Sequence, residues 1–208
     1  MSNLPPGWVA TTLKELVSLR TGPFGSALHK SDYVTGGIPL VNPMHIANGQ
    51  IAPSIDTSVT PDTAGRLSEF RLLAGDVVLG RRGEMGRCAV VATRENGWLC
   101  GTGSVIVRPA QRTILPSYLQ RYLSCPSVVN YLLAASVGST MPNLNQQHLL
   151  DLKVSLPPLA EQTRIVAKLE ELLSDLDAGV AELKAAQRKL RQYRQSLLKA
   201  AVEGALTA

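Results

Sequence analysis

The feature that most constrains the fold of this chain is an unbroken heptad repeat near its C-terminal end. Apolar or small residues recur at alternating steps of four and three, which is the spacing of a coiled-coil seam. We expect one helix from about Pro158 to Val202, on the order of 65 Å long at 1.5 Å per residue. Such a helix needs a partner helix to cover its apolar stripe. The repeat consists of Ile165, Leu169, Leu172, Leu176, Gly179, Leu183, Ala186, Leu190, Tyr193, Leu197 and Ala200.

Charge is divided unevenly along this predicted helix. Residues 160–179 contain five acidic and two basic side chains, whereas residues 180–203 contain two acidic and six basic side chains. Two antiparallel copies would set acidic halves against basic halves, and two parallel copies would set like charges together. The pattern favours antiparallel self-association. The basic half could instead line DNA or be solvated, and the two interpretations are compatible.

The composition changes at Leu156-Pro157-Pro158-Leu159. Glycine, proline and short β-branched runs alternate before this point, and a proline-free segment of good helix formers follows it. At 208 residues, the chain can hold one ordinary domain and an extended element. We therefore expect a globular domain at residues 1–157 and a coiled-coil helix at residues 158–208.

The globular part is predicted to be α+β, with a small twisted sheet. Thr12 to Glu15 has the form of a capping box and predicts a short helix. Two proline-started segments have helical spacing of apolar residues, at 116–124 and 126–135. Short apolar runs predict strands at residues 38–41, 76–79, 88–92, 105–107 and 152–156.

Composition narrows the class of partner. The net charge of +5 makes a polyanion plausible, and 4% aromatic residues are too few for the stacking platforms of single-strand binders. Duplex DNA is therefore the favoured nucleic acid. The first residues do not have the pattern of a secretory signal, and no apolar run is long enough for a membrane span. We expect a cytoplasmic protein that does not enter the membrane.

The sequence offers little catalytic chemistry. The glycines from Gly80 to Gly86 match neither the dinucleotide fingerprint nor the P-loop, and Asn42-Pro43-Met44-His45 only partly matches a methyltransferase motif. The three cysteines and three histidines lack metal spacing, and Ser104 lacks the nucleophile-elbow motif. We interpret the histidines as surface or structural residues. We expect no catalytic residues, no metal and no cofactor.

Several segments resemble the specificity subunits of type I restriction-modification systems. Leu156 to Gln162 is similar to the Pro-Pro-Leu-Ala-Glu-Gln segment that opens the conserved helix of these subunits, and Tyr193 to Thr207 is similar to the tail of that helix. Segments at 4–8, 20–26, 75–78 and 138–145 agree in order and spacing, so the resemblance covers nearly the whole chain.

The resemblance implies a non-catalytic subunit that reads a DNA half-site and docks methyltransferase subunits and, through them, a restriction subunit. Members of the family carry two target-recognition domains and two helices, whereas this sequence has one of each. Both a natural half-subunit and a fragment fit this difference. Two copies would rebuild the antiparallel helix pair and read a split palindrome. The expected interface residues are Ile165, Leu169, Leu172, Leu176, Leu183, Leu190, Tyr193 and Leu197.

Candidate DNA contacts follow from residue type and position. Residues 1–157 carry 13 Lys and Arg against 9 Asp and Glu. Arg81 and Arg82 follow a predicted strand at a glycine-flanked turn, where they could reach a groove or simply be solvated. Thr140, Asn143 and Asn145 lie in a polar loop that could contact DNA or cap a short helix at 146–150. The candidate contacts are Arg20, Lys30, Arg81, Arg82, Arg87, Thr140, Asn143 and Asn145.

Two other functions remain open at this point. A coiled-coil scaffold protein that binds no DNA would show no salt-dependent binding to mixed duplexes. A stand-alone methyltransferase would bind the methyl-donor cofactor, although the sequence lacks the corresponding glycine-rich strand.

Overall fold

The computed structural model describes residues 4–24, 27–83, 85–110, 112–136 and 144–206. The chain divides into two compact units, Met1–Thr163 and Arg164–Ala208. Small sheets and short helices precede one helix of 44 residues, which confirms the predicted α+β class. None of the helices in the described ranges combines the length and hydrophobicity that a membrane crossing requires.

The largest antiparallel sheet of the globular unit has the strand order β2–β11–β8–β9. The two inner strands are buried on both faces over most of their length, which explains why their sequences are continuously apolar instead of alternating. The predicted strands at 76–79, 88–92 and 105–107 are confirmed with small shifts in their ends. The four strands are β2 (Val17–Thr21), β8 (Val77–Gly80), β9 (Cys88–Val90) and β11 (Ser104–Pro109).

A second four-stranded sheet is mixed, with the order β10–β4–β7–β3. β10 pairs parallel with β4, and the other two pairings are antiparallel. The strand predicted at 38–41 is confirmed as β4. The strands are β3 (Tyr33–Val34), β4 (Ile38–Val41), β7 (Ser58–Val59) and β10 (Leu99–Cys100).

A short hairpin, β5 (Ile46–Ala47) and β6 (Gln50–Ile51), is closed by Asn48 and Gly49. Both turn residues have positive φ, at 52° and 74°, which Asn-Gly tolerates and most other pairs do not. The local sequence of the turn is therefore sufficient to specify this hairpin.

The two ends of the globular unit meet in a two-stranded sheet. β1 (Val9–Thr12) pairs antiparallel with β12 (Lys153–Leu156), with Val9 opposite Leu156. Helix α1 (Leu13–Leu16) follows β1 as predicted, but the expected capping box is wrong. The Thr12 side chain makes no capping bond, because the neighbouring Thr11 hydroxyl takes Glu15 as its acceptor at 2.6 Å.

Within the described residues, four more α-helices belong to the globular unit. Three of them begin at proline, whose fixed φ and missing N–H suit the first helical position. The helical spacing predicted after residues 116 and 126 is confirmed, and Leu119, Leu123 and Leu132 from those helices are fully buried. The helices are α2 (Pro61–Arg66), α3 (Pro116–Leu123), α4 (Pro126–Ala135) and α5 (Gln146–Leu150).

The long helix α6 spans Leu159–Val202. Gln162 in its first turn is fully buried and makes three hydrogen bonds. Its Oε1 accepts from the Leu115 backbone N–H at 2.8 Å, and its Nε2 donates to the carbonyls of Thr113 and Pro157 at 3.0 and 2.9 Å. A buried amide satisfied in this way fixes the first turn of α6 within the globular unit.

An ion pair between a buried carboxylate and a partly exposed arginine links two neighbouring strands of the antiparallel sheet. Asp76, just before β8, is 2% exposed and binds Arg108 of β11 through both carboxylate oxygens, at 2.7 and 2.8 Å. Asp76 also accepts from the Leu73 backbone N–H at 2.8 Å. The hydrogen bond that Arg108 donates to Asp76 raises the pKa of Arg108. The carboxylate thus closes the turn that leads into β8.

Candidate nucleic-acid interface

Loops from both large sheets meet at one edge of the globular unit. The Gly22 N–H, after β2, donates to the Ser104 carbonyl at 3.0 Å, and the Arg81 N–H, after β8, donates to the Gly103 carbonyl at 2.9 Å. The Gly101 N–H, after β10, donates to the Val41 carbonyl of β4 at 2.9 Å. We call residues 22–24, 42–45, 80–83 and 101–103 the loop cluster.

The loop cluster depends on glycine for its close packing. A Cβ at Gly22 would lie 2.0 Å from the Gly101 carbonyl oxygen, and one at Gly101 would lie 2.2 Å from Oδ1 of Asn42. A Cβ at Gly103 would lie 2.9 Å from Cδ of Pro43. Because backbone and proline ring fill these spaces, larger residues would force the loops apart. The glycines hold several short loops in one rigid edge.

Arg81 and Arg82 differ in their surroundings, although the sequence presents them as equals. Arg81 is half-buried, and its Nε is buried with no hydrogen-bond partner among the described residues. Burial, together with the neighbouring charge of Arg82, lowers the pKa of Arg81. The Arg81 carbonyl accepts from the Leu144 N–H at 3.0 Å, so this residue also joins two loops. Arg82 is exposed to solvent.

Arg82 and Arg87 come together at an open depression of about 400 Å³. Pro43, Met44 and Gly83 complete its wall. The Arg87 carbonyl accepts from the Gly80 N–H at 2.8 Å, so the turn between β8 and β9 is closed by backbone bonding. Two guanidinium groups at one exposed depression can bind phosphate or the acceptor edge of guanine.

Arg20 and Lys30 are predicted contacts that lie outside both the loop cluster and the depression. Arg20 is in β2, and its Nη1 lies 2.6 Å from Oε2 of Glu69, with both side chains more than half exposed. Such a surface pair contributes little to stability, and DNA phosphate could replace the carboxylate. Lys30 begins the turn Lys30–Asp32 before β3 and is exposed.

Asn145 is the N-cap of α5, which confirms the capping role left open by the sequence. Its side chain accepts from the Gln147 N–H at 3.0 Å. The neighbouring Gln146 donates to the Thr21 hydroxyl at the end of β2, so the start of α5 lies beside the loop cluster. The other two predicted contacts of this loop, Thr140 and Asn143, lie outside the described residues.

His45 has a structural role, as expected. It is 4% exposed, with Nδ1 at 3.0 Å from the Leu40 carbonyl and Nε2 at 3.2 Å from the Thr57 hydroxyl. Burial lowers the pKa of His45, which favours the neutral ring. Within the described ranges, no group of His, Cys, Asp or Glu is arranged to hold a metal ion.

The heptad positions of α6 are largely exposed in the single chain. Leu172, Leu183 and Leu190 are 52%, 72% and 68% exposed, and Tyr193 is 64% exposed. The predicted interface residues therefore form an apolar row along α6, and most of this row is exposed to solvent. Exposed leucines at this spacing are suited to a partner helix.

Sequence reasoning missed two features of the site. The first is Met44, 74% exposed at the depression, because nothing in the sequence around residue 44 indicates that this apolar side chain is exposed. The second is the buried bonding of Gln162. It falls in the segment that carries the family resemblance, and a glutamine followed by a helical heptad pattern does not by itself indicate burial.

The comparisons with known proteins agree with this architecture. The model of the family described as "Type I restriction modification DNA specificity domain" matches residues 5–185. The chain is 23% identical over 205 residues to the type I restriction enzyme EcoBI specificity subunit of Escherichia coli, covering 99% of this chain and 43% of that protein. It is 26% identical to the StySPI specificity subunit of Salmonella potsdam, covering 98% and 44%.

Solved structures show the same fold. One, from work on complex assembly and conformational transition of the type I R-M system, has a TM-score of 0.75 at 24% identity and covers 96% of this chain and 47% of that one. The HsdS subunit from Thermoanaerobacter tengcongensis has a TM-score of 0.62 at 23% identity, covering 85% and 40%. The chain spans about half the length of the curated relatives it matches. The chain belongs to the family of type I restriction-modification DNA specificity proteins.

Proposed function

We propose that this chain is the non-catalytic DNA-recognition subunit of a type I restriction-modification complex and reads one half-site of a bipartite duplex target. The observation that carries this proposal is the glycine-packed loop cluster, beside which Arg82 and Arg87 line one open depression. The family match does not favour the alternative of a scaffold protein without DNA binding.

The chemistry of the loop cluster suits a DNA groove. A rigid edge is needed because base reading requires side chains placed to a fraction of an ångström. We assign the direct base contact to Arg82, which is exposed. Arg81 joins the loops through its backbone bonds, and we assign to its side chain a flanking contact only. We assign flanking contacts, to phosphates above all, to the remaining candidates. These are Arg20, Lys30, Arg81, Arg87, Thr140, Asn143 and Asn145.

We further propose that two copies pair through antiparallel α6 helices. The crossing point of such a two-fold pair would lie near Gly179 to Leu183. The leucine-rich seams of the two helices would then cover each other, and the acidic half of each helix would meet the basic half of the other.

This pairing has a consequence for the DNA target. Identical recognition domains related by a dyad read inverted half-sites with a fixed spacer, which is a split palindrome. Methyltransferase subunits docked beside the helices would then modify both strands, and a restriction subunit would join through them. The complex would act on DNA in the cytoplasm.

Binding of mixed-sequence and selected duplexes across a salt series tests the DNA-reading role. We expect binding that weakens steeply with salt, and a loss of roughly 1–3 kcal/mol of specific binding in Arg82→Ala. The matched control is Arg66→Ala, an exposed arginine of α2 outside the loop cluster.

Two outcomes would contradict parts of this proposal. Strand cleavage or methyl transfer by the purified chain would refute the non-catalytic assignment. Equal binding by Arg82→Ala and the unsubstituted chain at every sequence and salt concentration would show that the turn is merely solvated. Sequencing genomic methylation with and without the gene identifies the motif itself.

A further inference from the structure

Met44 is an apolar side chain that the fold exposes beside two arginines. It is 74% exposed, although large hydrophobic residues are normally buried where the fold allows it. It lies in the middle of the turn Pro43–His45 and lines the open depression with Arg82 and Arg87. The sulfur-containing chain therefore projects into solvent at the surface proposed to meet DNA.

The backbone that carries Met44 is anchored on both sides. Pro43 packs against two glycines, since a Cβ added at Gly80 or Gly103 would lie 3.1 or 2.9 Å from its ring atoms. His45 is buried and bonded through both ring nitrogens, to Leu40 and Thr57. The anchored turn therefore holds the apolar side chain of Met44 in solvent, where a binding partner can contact it.

We propose that Met44 reads a thymine through its C5-methyl group in the major groove. This inference rests on the proposed DNA-reading function and adds the base that the site selects. Apolar contact is the means by which proteins recognise the thymine methyl, and flanking guanidinium groups bind guanine or phosphate in the same groove. The two arginines beside Met44 favour a polyanion over an apolar protein surface.

Removal of one methyl group from the DNA tests the assignment. Duplexes selected from a random pool by the 208-residue chain give the consensus, and each thymine of it is then replaced singly by deoxyuridine. At one of these thymine positions, we expect the replacement by deoxyuridine to weaken binding of the unsubstituted chain about fourfold. This factor corresponds to the free energy of burying one methyl-sized group. Met44→Ala should bind the thymine duplex correspondingly weakly and be insensitive to deoxyuridine at that position.

A matched control is Leu73→Ala. Leu73 is also an exposed apolar residue, at 46%, but it lies before β8, at the opposite end of that strand from the loop cluster. This variant should keep the full response to deoxyuridine. If it loses the response as Met44→Ala does, the effect is not local to Met44 and the assignment is wrong.

Two further results would overturn the inference in distinguishable ways. Equal sensitivity of Met44→Ala and the unsubstituted chain at every thymine, or a consensus without an A·T pair, refutes thymine reading while DNA recognition stands. Absence of salt-dependent binding of the unsubstituted chain to any duplex refutes the proposed function, and the thymine contact with it.

Discussion

The globular unit and the long helix differ in how far their apolar residues are buried. In the globular unit, leucines such as Leu13, Leu40 and Leu119 are completely buried. In α6, Leu183 and Leu190 remain about 70% exposed. Since hydrophobic burial drives folding, the first region has the core it needs, and the second has an apolar surface that gains stability only against a partner. The contrast separates a folding unit from an assembly unit.

Charged groups show the same contrast. In the globular unit, the buried carboxylates of Asp76 and Glu95 are paired with Arg108 and Arg94 inside the chain. Along α6, charges are exposed and segregated into an acidic and a basic half, although short pairs such as Lys168–Glu171 occur. Charges that pair within the chain favour one fold, whereas segregated charges can determine the orientation of a partner helix.

The largest expected effect is loss of the helix pair on charging its seam. Leu172→Glu with Leu190→Glu should leave a folded monomer, because each fully buried leucine contributes on the order of 1.5–3 kcal/mol to the pair and a buried carboxylate opposes it. Light scattering measures the mass, and circular dichroism checks that the globular unit remains folded.

Gln187→Glu with Gln192→Glu is the charge-matched control for that experiment. These residues lie on α6 outside the heptad positions, so the pair should persist. A dimer unchanged by the seam substitutions would refute pairing through the seam. A methylated motif with two different halves, in the absence of a second specificity chain, would refute pairing of identical copies.

The second largest expected effect is a loss of stability of the globular unit. Asp76→Asn removes the carboxylate that pairs with Arg108 and should lower the free energy of unfolding by about 2–4 kcal/mol, less than for a fully buried pair because Arg108 is partly exposed. Glu69→Gln, which breaks the exposed pair with Arg20, should cost only about 0–1 kcal/mol. Urea unfolding of both variants checks the ranking, and equal losses would contradict it.

A smaller loss is expected at the start of α6. Gln162→Leu leaves the Leu115 N–H and two carbonyls without their partner and should lower the free energy of unfolding by about 1–3 kcal/mol. Gln195→Leu, at an exposed position of the same helix, is the control and should be nearly neutral. If the two variants are equally stable, the buried amide does not fix the first turn to the globular unit.

The sequence predicts features set by local pattern and misses those set by packing. The heptad repeat predicts α6 almost to the residue, and proline followed by helical spacing predicts α3 and α4. The pair Asn48-Gly49 is typical of a tight hairpin turn, so the hairpin of β5 and β6 is also set by local sequence. The loop cluster was beyond prediction, because Gly22, Gly101 and Asn42 are distant in sequence and their contacts depend on how two sheets pack. For the same reason, adjacent Arg81 and Arg82 could not be told apart.

The smallest expected effect is a pH dependence confined to the globular unit. Burial lowers the pKa of His45 below its ordinary value of 6.5, so in the folded chain the ring stays neutral to lower pH than in the unfolded chain. As pH falls below 6.5, the unfolded chain binds a proton that the folded chain does not, and stability contributed by the neutral ring is lost. Above that value this contribution is fully present. Urea unfolding midpoints, compared between about pH 7.5 and pH 5.5, should therefore fall more in the unsubstituted chain than in His45→Gln, which cannot titrate. Equal slopes for the two would show that the pKa of His45 is the same in the folded and unfolded chains, and helix pairing should be unaffected in both.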